Sequence, residues 1–201
     1  MKLLGEYSSK LNQAARLLLA RESDSTINTL CACGAGNKRT VRCLECDVHS
    51  VVCPTCWIRR HRYNATHWAY VWQESGYFVK HDISALGYTI PLGHGGDECP
   101  SAAGPVFLII ADINGIHATR VKHCNCETGQ QLDKWTKLFM SDFFPSTVVD
   151  PQSVFTFRLL RQFSILTLQS KITPYDYMKS IRRLTDNVFT GNVPASTSFN
   201  V

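Results

Sequence analysis

No apolar run in the chain approaches the roughly 18 residues a membrane-spanning helix needs; the longest, Val106 to Ala111, is the size of a strand. The opening stretch, Met1 to Ala20, lacks the continuous apolar core of a secretory signal, because Glu6, Lys10 and Arg16 interrupt it. Gly-x-x-x-x-Gly-Lys-Ser/Thr does not occur, so the glycines between residues 86 and 100 do not form a phosphate loop. No segment repeats at a fixed period. A strong charge imbalance is missing too: a net charge of +5 and a pI of about 8.7 tilt the chain toward acidic partners without requiring one, and DNA-binding domains often carry more. With 44% hydrophobic and 10% aromatic residues, general disorder is excluded. A length of 201 residues accommodates one ordinary core plus a small module, or two small domains. We expect a soluble, intracellular protein with no membrane partner and no small-molecule substrate.

Cysteine is abundant. The chain has nine, an odd count, and most lie in close pairs that would staple nothing distant as disulfides. A reducing compartment fits this pattern. In order the sequence gives Cys31-x-Cys33, nine residues, Cys43-x-x-Cys46, six residues, Cys53-x-x-Cys56, four residues, then His61 and His67 with five residues between them. A thioredoxin-like motif would need one Cys-x-x-Cys in a βαβ setting, not several beside paired histidines. Zn²⁺ in structural sites is held tetrahedrally by thiolate and imidazole, and ligands two or three apart can reach one ion from a single turn. These eight donors saturate two ions.

Two connectivities are open: sequential pairing, or a cross-brace joining the first pair to the third and the second to the fourth. The cross-brace is favoured, because the short intervening loops give each lobe little core of its own and interleaving ties both ions into one metal-dependent unit. The spacing resembles the B-box class of cross-braced zinc modules, although that class usually opens with Cys-x-x-Cys. His49 is the spare donor, able to replace Cys46.

Ahead of this run, Leu3, Leu4, Tyr7, Leu11, Ala14, Ala15 and Leu18 recur at helical spacing. An amphipathic helix is predicted within residues 1–21, either laid against the zinc module or pairing with a second copy. Residues 22–30 read as a polar linker, and residues 31–80 as the zinc module. After His67, the aromatics Trp68, Tyr70, Trp72, Tyr77 and Phe78 could stack bases or fill the module's core. Arg59, Arg60 and Arg62 form the densest positive group. Phosphate is their natural partner, because guanidinium forks match its oxygens.

Downstream, Asn114-Gly115 between two apolar runs signals a β-hairpin over Val106–Ile113 and Ile116–His123. Cys124-x-Cys126 follows at once, and alternation puts both sulfurs on one side of an extended chain. With His94 and Cys99 from the Gly-rich loop they make a third closed zinc site; His117 and His123 are rivals for the His94 position. The rest reads as helical. Gln131–Phe139 has helix spacing, Asp150-Pro151 signals a helix through about Leu166, and Thr173-Pro174 opens another whose buried stripe is Tyr177, Met178, Ile181 and Leu184. Residues 191–201 form a polar tail. The fold class is therefore α+β: a cross-braced zinc module, a hairpin with a further zinc site, and a helical C-terminal segment.

Several of these stretches occur together in a fixed order: the zinc run, His94 within Leu-Gly-His-Gly-Gly-Asp-Glu-Cys-Pro, Asp112-Ile-Asn-Gly-Ile-His117 and Cys124-x-Cys126. Trp135, Phe144-Pro145-Ser-Thr147, Pro151-Gln-Ser-Val-Phe-Thr-Phe157 and Lys171-Ile-Thr-Pro-Tyr-Asp-Tyr177 follow. From about Leu11 to Pro194, the chain resembles the cysteine-cluster region that precedes the catalytic domain of fungal KDZ transposases. That resemblance implies a zinc-chelating module at residues 81–190 and a partner that is transposon DNA, the transposase catalytic domain or another protein, with a nuclear location. It also implies that chemistry belongs to a separate RNase H-like domain, so that this chain is a truncated, non-catalytic product. Asp112, Asp133, Asp142 and Asp176 lie in no βαβ pattern and are not assigned to catalysis. A hydrolytic zinc would need an open position beside a general base, whereas all three clusters read as full.

Overall fold

Two long strands, with consecutive residues buried on both faces around their shared turn, organise the chain. In a computed structural model, which describes residues 2–127 and 132–194, β5 (Val106–Asp112) and β6 (Gly115–His123) pair antiparallel, with Ile110 opposite His117 and Asp112 opposite Gly115. Three shorter strands complete a mixed five-stranded sheet in the order β4-β6-β5-β8-β7. Strand β4 (Ile90–Leu92) runs parallel to β6, β8 (Ser153–Thr156) parallel to β5, and β7 (Phe143–Pro145) closes one edge. Upstream lies a three-stranded antiparallel sheet of β1 (Val41–Arg42), β2 (Ala69–Trp72) and β3 (Phe78–His81). The helices are α1 (Lys2–Glu22), α2 (Pro54–His61), α3 (Lys134–Phe139), α4 (Phe157–Ser170) and α5 (Pro174–Thr185). The α+β expectation holds.

Alternation sends the two faces of the large sheet to different partners. Leu108, Ile110, Val121 and Val154 join one core with Leu138 of α3 and with Val41, Val52, Trp57 and the cysteines upstream. Ala111, Ile116 and Phe155 face the other way, onto Leu159 of α4 and Tyr177, Met178 and Ile181 of α5. The sheet is thus the middle layer between the cysteine-rich module and a helical pair.

Several expectations need correction. Asp150-Pro151 does not start a helix. Asp150 has a positive φ of 43°, Ser153 to Thr156 are all buried in a strand between β5 and β7, and α4 begins only at Phe157, capped by the Thr156 hydroxyl accepting from the Leu159 amide. Such a strand, buried on both faces, shows no alternation. Within the Gly-rich loop, Ile90–Leu92 is a strand. Leu184 is 54% exposed and leaves the stripe of α5 after Ile181. Gln131, the expected start of α3, lies outside the described residues, as do residues 195–201 of the expected tail. Helix α1 forms, but residues 5–20 are exposed throughout, so it is not laid against the module. Among the described residues no helix is long and apolar enough to cross a membrane.

The turn between β5 and β6 is Ile113-Asn114, and Gly115 is the first residue of β6. Its φ is 142°, and an added Cβ would lie 2.8 Å from Thr185 Oγ1 and 3.0 Å from Trp68 Cζ2. Glycine is needed there because a helix and an indole close on it from two sides. We expect Gly115→Ala to destabilise the fold by about 1–3 kcal/mol through overpacking, and Gly104→Ala, which meets nothing within 4 Å, to change it by less than about 0.5 kcal/mol. Urea unfolding of both variants checks this; equal midpoints would contradict it.

Candidate metal centres

The first two groups of donors are built around α2. Its Pro54 sits at the start of the helix, with Cys53 at the N-cap and Cys56 in the first turn. Four residues apart, Trp57 and His61 stack at 3.9 Å, which leaves His61 at the last helical position aimed away from Cys56. One short helix thereby serves two sites. Cys31 and Cys33 approach its N-terminus from a turn fixed by the Cys31 amide donating to Asn37 O at 2.8 Å. The turn after β1 brings Cys43 and Cys46 to its other end, and His67 follows from the turn beyond α2, where its amide donates to Asn64 O at 3.0 Å.

All twelve donors expected from sequence come together, as three groups of four: Cys31, Cys33, Cys53 and Cys56; Cys43, Cys46, His61 and His67; and His94, Cys99, Cys124 and Cys126. Within each group the sulfurs and ring nitrogens lie within 4.8 Å of one another. The first pair stands with the third and the second with the fourth, which is the cross-braced arrangement. His49 lies apart: its Nδ1 meets the Cys43 carbonyl at 2.9 Å. His117 is buried between Asp82 and Asn114, and His123 stays outside the third group.

The distances fit tetrahedral coordination. An ion with metal–sulfur bonds of about 2.3 Å and metal–nitrogen bonds of about 2.05 Å has sulfur–sulfur edges of about 3.8 Å and sulfur–nitrogen edges of about 3.6 Å. Cys31 and Cys56 sulfurs are 3.9 Å apart, and those of Cys33 and Cys53 3.8 Å. His67 Nδ1 stands 3.5 Å from both Cys43 and Cys46, and His61 Nε2 3.2 Å from Cys46. His61 Nδ1 faces the Trp57 carbonyl at 2.8 Å; donating its proton there leaves Nε2 as the free lone pair. The third group is tighter. Cys124 Sγ lies 3.5 Å from Cys99, 3.1 Å from Cys126 and 3.1 Å from His94 Nε2.

Parallel pairing explains how that third group forms. Leu92 of β4 stands opposite His123 of β6, so the residues that follow, His94 and Cys124, leave the sheet at the same end. Gly93, at φ 102°, crosses where a Cβ would meet Cys124 Cβ at 3.0 Å.

In the first and third groups the thiols are drawn in opposite directions. Amides of Cys33 and Cys53 draw Cys31 down to about 6, while burial and the neighbouring cysteines push Cys56 up to about 12. Burial likewise raises Cys43 to about 12, and the Asn125 amide leads the contacts that draw Cys99 down to about 6. Clustered thiolates repel, so full ionisation requires a cation among them. The donor sets are those of groups positioned to hold metal ions.

An α+β chain with three such Cys/His groups is a cysteine-cluster protein. A family model described as CxC2-like cysteine cluster associated with KDZ transposases matches residues 83–189, more than half of the 201 residues. The chain belongs to that family. The matched stretch contains the third group and begins after the first two. No curated protein and no solved structure matches the chain.

Sequence reasoning missed the polar side chains around the second group: Glu45 Oε2 accepts from the Trp68 amide at 2.6 Å, Asn114 Nδ2 donates to the Thr66 carbonyl at 2.7 Å, and Arg158 donates to Thr66 Oγ1 at 2.9 Å. Asn114 was legible only as a turn former.

Burial holds the imidazoles of His61 and His67 below their ordinary value of 6.5. The unfolded chain therefore binds more protons just below that value, so the stabilisation is complete above it and lost as pH falls through the depressed folded values. We expect the urea midpoint to drop as the pH is lowered below 6.5, and a His61→Gln variant to lose part of that dependence. A flat profile would contradict it.

Proposed function

We propose that the chain is a non-catalytic, zinc-dependent module of the KDZ transposition machinery that binds DNA. The observation that carries this reading is the set of three closed four-donor Cys/His groups. Thiolate and imidazole in closed tetrahedral sets suit Zn²⁺, whose structural sites supply folding energy and leave no coordination position open for a substrate. Cys31, Cys33, Cys53 and Cys56 would hold one ion, Cys43, Cys46, His61 and His67 a second, and His94, Cys99, Cys124 and Cys126 a third. The reaction itself is carried by a separate unit, and DNA is met in the nucleus.

The DNA surface is the arginine-bearing end of α2. Arg59 and Arg60 are exposed in its last turn and Arg62 just beyond. Among the described residues none of the three pairs with a carboxylate, although the Arg59 guanidinium lies 3.8 Å from Cys56 Sγ. Arg60 is steadied by Ser50 Oγ at 3.1 Å and Arg62 by the ring of Tyr63 at 4.5 Å. A second reading is favoured by α1, where Tyr7, Leu11 and Leu18 are 68%, 63% and 61% exposed. On that reading the module binds protein, through a second copy or another component of the machinery.

Elemental analysis is expected to give three zinc ions per chain, falling to two in Cys99→Ser and also in Cys53→Ser; an unchanged count in Cys99→Ser would remove the third site. Binding to duplex DNA is expected to weaken steeply with salt through counterion release. Replacing Arg59, Arg60 and Arg62 with alanine together should reduce the slope of log K against log salt by up to about three. Salt-independent binding, or none, would contradict the DNA reading, and a light-scattering mass of two chains without DNA affinity would favour the second.

A further inference from the structure

The tip of the long hairpin reaches out of its own sheet into the second donor group. Asn114 Nδ2 donates to the Thr66 carbonyl at 2.7 Å and to Glu45 Oε1, while the Asn114 carbonyl accepts from Trp68 Nε1 at 3.0 Å. Glu45 Oε2 accepts from the Trp68 amide at 2.6 Å. These contacts fall on both halves of the group. Glu45 lies in the turn between Cys43 and Cys46, and Thr66 and Trp68 flank His67. One side chain therefore spans from the thiol turn to the histidine turn.

The amide's orientation is set by its neighbours. Nδ2 faces two oxygens, so Oδ1 is left toward His117 Nε2, at 3.1 Å. His117 is held in turn, stacked on Trp68 at 3.9 Å, with Nδ1 3.3 Å from Asp82 Oδ2. Beneath, the fully buried Asp112 carboxylate accepts from Thr156 Oγ1 at 2.7 Å, from Arg158 Nε at 2.6 Å and from the Ile113 amide at 2.8 Å. The same arginine donates to Thr66 Oγ1 at 2.9 Å. Residues 66–68 are thus gripped from the sheet on two sides.

The geometry points to Asn114 as a positioning residue for the second metal centre, linking His67 and the Cys43–Cys46 turn to the cysteine-cluster sheet. Asn114 touches no donor atom itself. It fixes the backbone on either side of His67 and the carboxylate between the two cysteines, as outer-shell partners of metal ligands do, whose loss typically lowers affinity about 10–100-fold. Linkage is reciprocal: what the sheet contributes to the ion, the ion contributes to the hairpin. The upstream module and the family-matched region then act as one cooperative unit. This rests on the zinc reading above.

The test uses the full chain loaded with Co²⁺ in place of zinc and titrated against a competing chelator, with each centre followed by its thiolate and ligand-field absorption. Asn114→Ala and Asn114→Asp are expected to weaken one ion of three by about 10–100-fold, at the Cys₂His₂ centre, with the all-cysteine and Cys₃His ions within about twofold of the unmutated chain. Unchanged affinities, or equal loss of all three ions, would overturn the assignment. In the reverse direction, Cys46→Ser should speed amide hydrogen exchange over residues 113–117 of the zinc-loaded chain more than over α5; unchanged exchange would overturn it independently. An unmutated chain that binds no metal would instead sink the zinc reading, and this inference with it.

Discussion

Clustered thiolates need a cation. Three sets of Cys and His donors are each gathered within 4.8 Å, and in the first of them backbone amides draw one sulfur toward ionisation while burial and the neighbouring cysteines hold another protonated. A divalent ion among such donors would resolve that conflict. A helix of eight residues supplies donors to two centres, and the small sheet of β1, β2 and β3 holds the turns that supply the rest.

The core is continuous across the two halves. Val41, Val52 and Trp57 belong to the upstream module, yet they pack in one cluster with Leu108, Ile110 and Val154 of the large sheet. A small metal module has too little apolar surface of its own to be independently stable, and here one face of the mixed sheet completes it while α4 and α5 cover the other. The polar seam through Asn114, Glu45, Asp112 and Arg158 runs along that junction. It ties the hairpin tip to Glu45 and Thr66 of the upstream module.

Much of this was legible in the sequence, and the reason is locality. Ligand pairs two or three residues apart, the Thr173-Pro174 helix start and the hairpin around Asn114-Gly115 are set by residues that are neighbours in the chain. The third group was readable because β-alternation places Cys124 and Cys126 on one side. What failed was either mimicry or distance. Asp150-Pro151 carries the residues of a helix start, but the real cap is Thr156, hidden behind a strand whose four residues are all buried. Strand β4 escaped notice inside a glycine-rich stretch because its partner is parallel and far along the chain. The work of Asn114 was invisible for the same reason: the residues it binds, Glu45 and Thr66, lie 69 and 48 positions away.

If metal shapes this molecule, its removal must be felt in every layer, since the layers share one core. The direct measurement is urea unfolding of the purified chain before and after exhaustive chelation under reducing conditions, followed by near-ultraviolet circular dichroism of the four tryptophans. Loss of the cooperative transition on chelation, restored by adding zinc back, is the expected result. A chelated chain that unfolds at the same midpoint with the same steepness would show that packing alone holds the fold and that the cysteine groups are incidental to it.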